Sequence, residues 1–304
     1  MVLGSSGTSG TSRRVVRTTA SWVDSFGTVA GLAGLTDRSR VWVPGPLSAT
    51  MNLFAAVHAA FLGAAVVDSP AGATHAQLTA SGLARCLDEG VPLATVVVAG
   101  DRLSPALHER AVAAGVVVHH YYGAAELSFV AWGGHADALR PFPGVDVEVR
   151  DGELWVRSAF LCDGYAGPEG SLRRAGDWAT VGDRGRFQDG LLGVAGRPDA
   201  ATVGGATVVL ADVEAVLQGR ATGEVCAVAL PHAELGSVVA VALTCDRDHG
   251  PLLELARREL SGAARPRVWF AVDRLPVTPA GKTDRAALAS TVAAGAAGTV
   301  RRLV

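Results

Sequence analysis

The sequence lacks an excess of charge of either sign: 27 Lys and Arg face 29 Asp and Glu over 304 residues, a net charge of -2. Nucleic acid and anionic membranes both need a local surplus of Lys and Arg, so neither is expected as a partner. Cysteine is scarce. Cys86, Cys162, Cys226 and Cys245 are scattered without CxxC spacing, which excludes a zinc site or disulfide framework and predicts buried thiols in the reducing cytoplasm. The N-terminus has no charged segment leading into an apolar one, so no signal peptide is expected. One stretch, Val41 to Val67, has no Asp, Glu, Lys or Arg. Pro44, Gly45, Pro46, Asn52 and His58 interrupt it, so it reads as strand, turn, buried helix and strand instead of a membrane span. What the chain does have is apolar content, 49% against 18% charged residues, enough for a sizeable core and, at this length, two domains.

Short Val-rich runs at Val41–Val43, Ala64–Val67, Thr95–Val98 and Val116–Val118 read as buried strands. Between them, Asn52–Leu62, His75–Glu89 and Pro105–Ala114 read as helices. That alternation predicts an α/β lobe with a mainly parallel sheet. From Val145 the texture becomes β-rich. Alternating runs flank the turn signal Asp151-Gly152, and a second β unit turns at Asp189-Gly190. Past Arg197 a smaller α+β unit is expected, with a helix at Ala211–Leu217, strands at Val225–Leu230 and Val238–Leu243, and a helix at Leu252–Leu260. The Ala/Gly-rich end after Ala289 is expected to fray. The boundary divides residues 1–197, a large lobe, from residues 198–304, a small mobile domain.

Five stretches carry candidate chemistry. Ser5, Ser6, Gly7, Thr8, Ser9, Gly10, Thr11 and Arg13 lie in a Gly/Ser segment. Its glycines, hydroxyls and arginines suit a phosphate cradle, and equally a flexible linker. Its G-x-x-G-x-x-G spacing is not the dinucleotide fingerprint. Gly281-Lys282-Thr283 looks like the end of a nucleoside-triphosphatase phosphate loop, but Pro276 stands where that loop needs its first glycine. Lys282 is then either exposed filler or part of another device. The remaining three are Tyr121 to Glu126, Val181 to Gly185, and Gly196 to Asp199, each weak alone.

Taken in order, these stretches resemble the adenylate-forming superfamily of acyl-CoA synthetases, peptide-synthetase adenylation domains and luciferases. Tyr122 to Glu126 resembles its YGxTE motif, Gly182-Asp183 its TGD, and Gly196 to Gly205 its hinge of GRxD and a double glycine. Leu275 to Arg285 is similar to its LPxTxxGKxxR tail and is the most specific match. Tyr121 to Val130 is most similar to small bacterial acyl-CoA synthetases. Family members carry a further subdomain before the phosphate loop, so the large lobe is expected to be truncated, its exposed face covered by a second copy or a partner subunit. Other departures are Ser12-Arg13 for Pro-Lys, Ala125 for Thr, and a gap about one residue short between Asp199 and Gly204.

The resemblance implies an ATP-dependent acid–thiol ligase using Mg²⁺ and coenzyme A, or the phosphopantetheine arm of a carrier protein. It implies a phosphate-binding role for the Gly/Ser segment, nucleotide contacts from Tyr122, Gly123 and Ala124, and Mg²⁺ on Glu126. Asp183 would hold the ribose hydroxyls, and Arg197 the ribose or phosphates. Lys282 would bridge the attacking carboxylate and the α-phosphate. Rotation about Asp199 would then replace Lys282 with the Gly204-Gly205 strip, beside which the thiol arm passes. Asn52, Gly100, Tyr121 and Phe129 would line a mostly apolar pocket for a fatty or aryl acid, with Asp101 leaving an amine-bearing acid open. Two alternatives stand beside this: an inactive relative serving as a binding subunit, and a chain that uses an acyl-adenylate made elsewhere.

Overall fold

The computed structural model describes residues 1–4, 14–167, 170–196, 199–260, 262–277, 283–294 and 300–303. They form two compact units, one ending at residue 196 and the other beginning after it.

The first unit is built on a seven-stranded sheet. Its order is Ala65–Val67, Arg40–Trp42, His75–Leu78, Thr95–Val98, Val117–Ala124, Ser128–Gly133 and Arg140–Pro141. The first five strands are parallel and the last two antiparallel. Helices Thr50–Leu62, Ala80–Asp88 and Pro105–Ala113 make the crossovers that parallel pairing requires. Thr95–Val98 is buried along most of its length, which is why it reads as a continuous apolar run without alternation. Helix Ala20–Ala33 packs on Thr50–Leu62 through Trp22, Phe26 and Phe54, whose rings meet edge to face at 5.3–5.4 Å. A second, antiparallel sheet of six strands runs from Val145 to Gly196. In its hairpin Val145–Arg150/Glu153–Ser158, Asp151 and Gly152 both take positive φ, the conformation a tight two-residue turn needs. A third, small sheet joins Val2–Gly4, Arg14–Val16 and Gly164–Tyr165.

The second unit is α+β. A mostly antiparallel six-stranded sheet is covered by helices Leu210–Gln218, His249–Glu259 and Arg285–Ala294. The α/β class with a mainly parallel sheet, a β-rich portion and an α+β part is thus observed.

Two expectations are corrected. His75–Glu89 is not one helix: His75–Leu78 is a fully buried strand, and the helix begins at Ala80. The polar residues that disguised the strand are satisfied internally. His75 Nε2 lies 3.0 Å from the Ala33 carbonyl, and Gln77 Nε2 donates to the Val97 carbonyl at 3.1 Å. Thr79 then caps the helix, its Oγ1 accepting from the Gly82 N–H at 3.1 Å. Past Ala289, the described residues are ordered elements where fraying was expected. The helix runs to Ala294, and Val300–Leu303 pairs antiparallel with Val268–Val272, placing Leu303 opposite Trp269.

Candidate active site

Strand Val117–Ala124 carries Tyr121, Tyr122, Gly123 and Ala124 in its last half, at the carboxyl end of the parallel sheet, where ligands of open α/β sheets bind. The chain reverses within four residues, the Leu127 N–H donating to the Ala124 carbonyl at 3.1 Å. Ser128 adopts φ 61°. Gly123 makes this reversal possible, because a Cβ there would lie 2.2 Å from the Ser128 carbonyl oxygen. The turn throws Glu126 inward, where it is 7% exposed.

Two tyrosines fix the two carboxylates of the site. The Tyr165 hydroxyl donates to Glu126 Oε1 at 2.7 Å, and the Tyr122 hydroxyl donates to Asp183 Oδ2 at 2.5 Å. Both are charge-assisted bonds, stronger than neutral ones. Burial, then the charge of Glu126, raises the Tyr165 phenol's pKa above the ordinary tyrosine value, so it stays a donor. Asp183 follows Gly182, at φ 87°, and the Asp183 carbonyl accepts the Leu154 N–H at 2.8 Å. Motifs 61 positions apart are thus tied by one hydrogen bond.

The segment 5–13 lies outside the described residues, and with it the candidates Ser5, Ser6, Gly7, Thr8, Ser9, Gly10, Thr11 and Arg13. Its flanks are described. Gly4 and Arg14 are cross-strand partners, and Tyr165 pairs with Val15 on the neighbouring strand. The base of the segment therefore stands beside the strand that holds Glu126. Arg17, just past it, is 1% exposed and donates from Nη2 to the Phe160 carbonyl at 2.6 Å, while its Nε has no partner.

The candidate acid-pocket residues fall differently. Phe129 is core, 4% exposed and packed on Phe54, Tyr121 and Phe142 at 4.6–5.1 Å. Tyr121 stacks on Trp132 at 5.8 Å. Asn52 is buried and spends its amide on the Pro46 carbonyl at 3.0 Å. Gly100, at φ 84°, turns the chain out of strand Thr95–Val98 into Asp101. Burial pushes the Asp101 carboxyl up to about 6, against a hydrogen bond from the Arg102 N–H that lowers it.

In the second unit, Asp199 accepts the Leu210 N–H on its carbonyl at 2.9 Å. Gly204 and Gly205, at φ 56° and 87°, turn the hairpin Ala200–Val203/Ala206–Val209. Lys282 and Arg197 lie outside the described residues. On either side of 278–282, Val277 and Thr283 form an antiparallel bridge, and the Asp284 N–H donates to the Pro276 carbonyl at 2.8 Å. Arg285 pairs with Glu214 at 2.5 Å. Among the described residues no cluster of three or more His, Cys, Asp or Glu could hold a metal, and no helix is long and apolar enough to cross a membrane.

Sequence reasoning missed Tyr165 and Arg17. Nothing local marks either: Tyr165 is revealed by its pairing in the small sheet, and Arg17 by its side-chain bond to the Phe160 carbonyl.

No protein-family model matches the chain. It is 27% identical to the uncharacterized acyl–CoA ligase YhfT of Bacillus subtilis, over 92% of this chain and 66% of that protein. It is 32% identical to a protein of Mycobacterium tuberculosis named "Probable 2-succinylbenzoate–CoA ligase", over 84% of this chain and 71% of that one. Among solved structures, the amide bond synthetase McbA from Marinactinospora thermotolerans superposes with a TM-score of 0.78 at 27% identity, over 95% of this chain and 68% of that one. A double mutant of the o-succinylbenzoate CoA synthetase MenE from Bacillus subtilis shares the fold at a TM-score of 0.83 and 22% identity, over 100% and 70%. A sheet-end carboxylate, a glycine-preceded aspartate and these relatives define one class: the chain belongs to the adenylate-forming superfamily. Within it, its relatives are named acid–CoA ligases, and it spans about two thirds of their length.

Proposed function

We propose that this chain forms an acyl-adenylate from a fatty or aryl carboxylic acid and ATP, then passes the acyl group to the thiol of coenzyme A. The Tyr122–Asp183 bond carries this reading. It brings the two nucleotide motifs together, with Glu126 four residues along the same turn.

In the first half-reaction a carboxylate oxygen attacks the α-phosphorus and pyrophosphate leaves. Two anions must meet, so catalysis is mostly positioning and neutralisation of charge. Asp183 accepts from the ribose hydroxyls, a bidentate task suited to a carboxylate. Arg197 supports the ribose or phosphates, and the segment 5–13 receives the β- and γ-phosphates. Lys282 neutralises the attacking carboxylate and the α-phosphate. The residues present suit Mg²⁺: Glu126 offers a hard oxygen donor, and Mg²⁺ takes one or two carboxylates with substrate phosphates for the rest. Bound there, the ion would offset phosphate charge. In the second half-reaction the small domain, hinged at Asp199, brings the Gly204-Gly205 strip to the acyl-adenylate. The thiol sulfur then attacks the acyl carbon and AMP leaves. The acid-binding region is proposed to lie around Asn52, Gly100, Tyr121 and Phe129, of which Asn52 and Phe129 are buried and would support the pocket without presenting a free face to the acid.

Acid-dependent exchange of pyrophosphate into ATP, over a panel of fatty and aryl acids, tests the reading. No exchange with any acid would favour a non-adenylating binding subunit. The acceptor is coenzyme A; a carrier-protein arm offers the same thiol, and similarity to a phosphinothricin tripeptide synthetase, PhsB (31% over 268 residues), favours testing both. ATP and coenzyme A, with four unbridged cysteines, suit the cytoplasm. Phe61 and Val57, 61% and 40% exposed on one helix, and Val66, 48% exposed on the edge strand, suit a second copy or partner subunit. A fully active monomer in sedimentation would remove that association.

A further inference from the structure

We propose that Tyr165 is a positioning residue for Glu126: it holds the carboxylate by one oxygen and so presents the other to the metal–nucleotide complex. The proposal rests on the ligase reading and adds a residue to it.

Three observations converge on this role. First, the phenol is anchored on both sides. Its hydroxyl donates to Glu126 Oε1 at 2.7 Å and accepts the Leu172 N–H at 3.2 Å. The ring is therefore fixed by a backbone group while it fixes the carboxylate. Second, the slot for the hydroxyl is made by a missing side chain. A Cβ on Gly170 would lie 2.3 Å from the Tyr165 oxygen, so glycine there leaves room for the phenol where it reaches Glu126. Third, a buried cation lies near the carboxylate. Arg17 is buried close enough to interact electrostatically with Glu126, Cys162 and Asp163. A buried guanidinium whose Nε lacks a partner is costly unless negative charge lies near it.

The backbone completes the frame. The Cys162 N–H donates to the Glu126 carbonyl at 2.9 Å, and Tyr165 is tied by strand pairing to Val15. Glu126 is thus held at its main chain and at one carboxylate oxygen, a preorganisation that keeps a ligand from having to order it on binding. Without the phenol the carboxylate rotates about its last side-chain bond, and the metal must select one orientation among several.

The test uses Tyr165→Phe, which keeps the ring and removes only the hydroxyl. Binding of the non-hydrolysable α,β-methylene analogue of ATP is titrated against Mg²⁺ by calorimetry, alongside thermal unfolding. The Mg²⁺ needed for half-maximal binding should rise about tenfold, the lower end of what a hydrogen bond to a charged group supports. Binding without metal and the unfolding midpoint should stay as in the wild type. Thioester formation from supplied acyl-AMP, which needs no triphosphate, should also be kept. Unchanged Mg²⁺ dependence would overturn the proposal alone. Equal loss of nucleotide binding with and without metal, together with a lowered midpoint, would make Tyr165 a packing residue and overturn it too. A wild-type chain that binds no Mg–nucleotide would overturn the ligase reading and this proposal with it.

Discussion

The two units place their motif residues in opposite ways. In the first, Glu126 and Asp183 are buried, 7% and 8% exposed, and each is held by a tyrosine hydroxyl. In the second, Gly204 and Gly205 sit at the tip of a hairpin, and Asp199 stands where its first strand begins. One region holds its motif carboxylates buried and hydrogen-bonded, the other holds its motif residues in turns at the surface of a sheet. The difference matches the two tasks in the proposed reaction. Binding and orienting a nucleotide rewards fixed dipoles, whereas exchanging one catalytic element for another rewards residues free of the core.

The sharpest way to break the contrast is Lys282→Ala. Acyl-AMP formation should lose about 3–4 kcal/mol of transition-state stabilisation, the cost of removing a preorganised donor. Thioester formation from supplied acyl-AMP should remain. Equal loss of both half-reactions, followed by rapid quench, would show that the second unit does not act in two separate ways. Lys282 is the only lysine in the sequence, so an amine-directed reagent reports on it without a background from other side chains.

A smaller effect is expected in the first unit. Asp183→Ala should weaken ATP binding by about 1.5–3 kcal/mol, the range for hydrogen bonds to charged groups. Unchanged affinity by calorimetry would remove its ribose role and leave the Tyr122–Asp183 bond a structural tie.

The smallest effect belongs to the glycine turn. Gly205→Ala forces a side chain into left-handed backbone and should cost about 1–2 kcal/mol, read as a lower denaturation midpoint. Gly205→Asn should recover most of it, because Asn tolerates that conformation. If the Asn variant is stable yet slow only in thioester formation, the glycine serves the thiol arm as well as the turn. If both steps are normal, the turn is its whole purpose.

What could be read from the sequence follows from the same physics. The Val-rich strands were legible because a strand covered on both faces is apolar throughout. His75–Leu78 was not, since His75 and Gln77 look polar in one dimension and are paired with carbonyls in three. Val300–Leu303 was hidden by Arg301 and Arg302, which are exposed on an edge strand. Glu126 and Asp183 were legible because each sits in a short motif beside a glycine. Tyr165 and Arg17 were not, because Tyr165 is placed by strand pairing with Val15 and Arg17 by a bond to the Phe160 carbonyl 143 positions away.

That small sheet has a wider consequence. With Gly4 opposite Arg14, everything between them is an excursion from a closed hairpin. Lengthening or rewriting such an excursion changes closure entropy only slowly. The segment 5–13, proposed to handle the phosphates, should therefore tolerate change with little effect on the pairing of Gly4 with Arg14. Replacing 5–13 by a two-residue Asn-Gly turn should yield a folded, inert protein, a scaffold into which other anion-binding segments can be grafted.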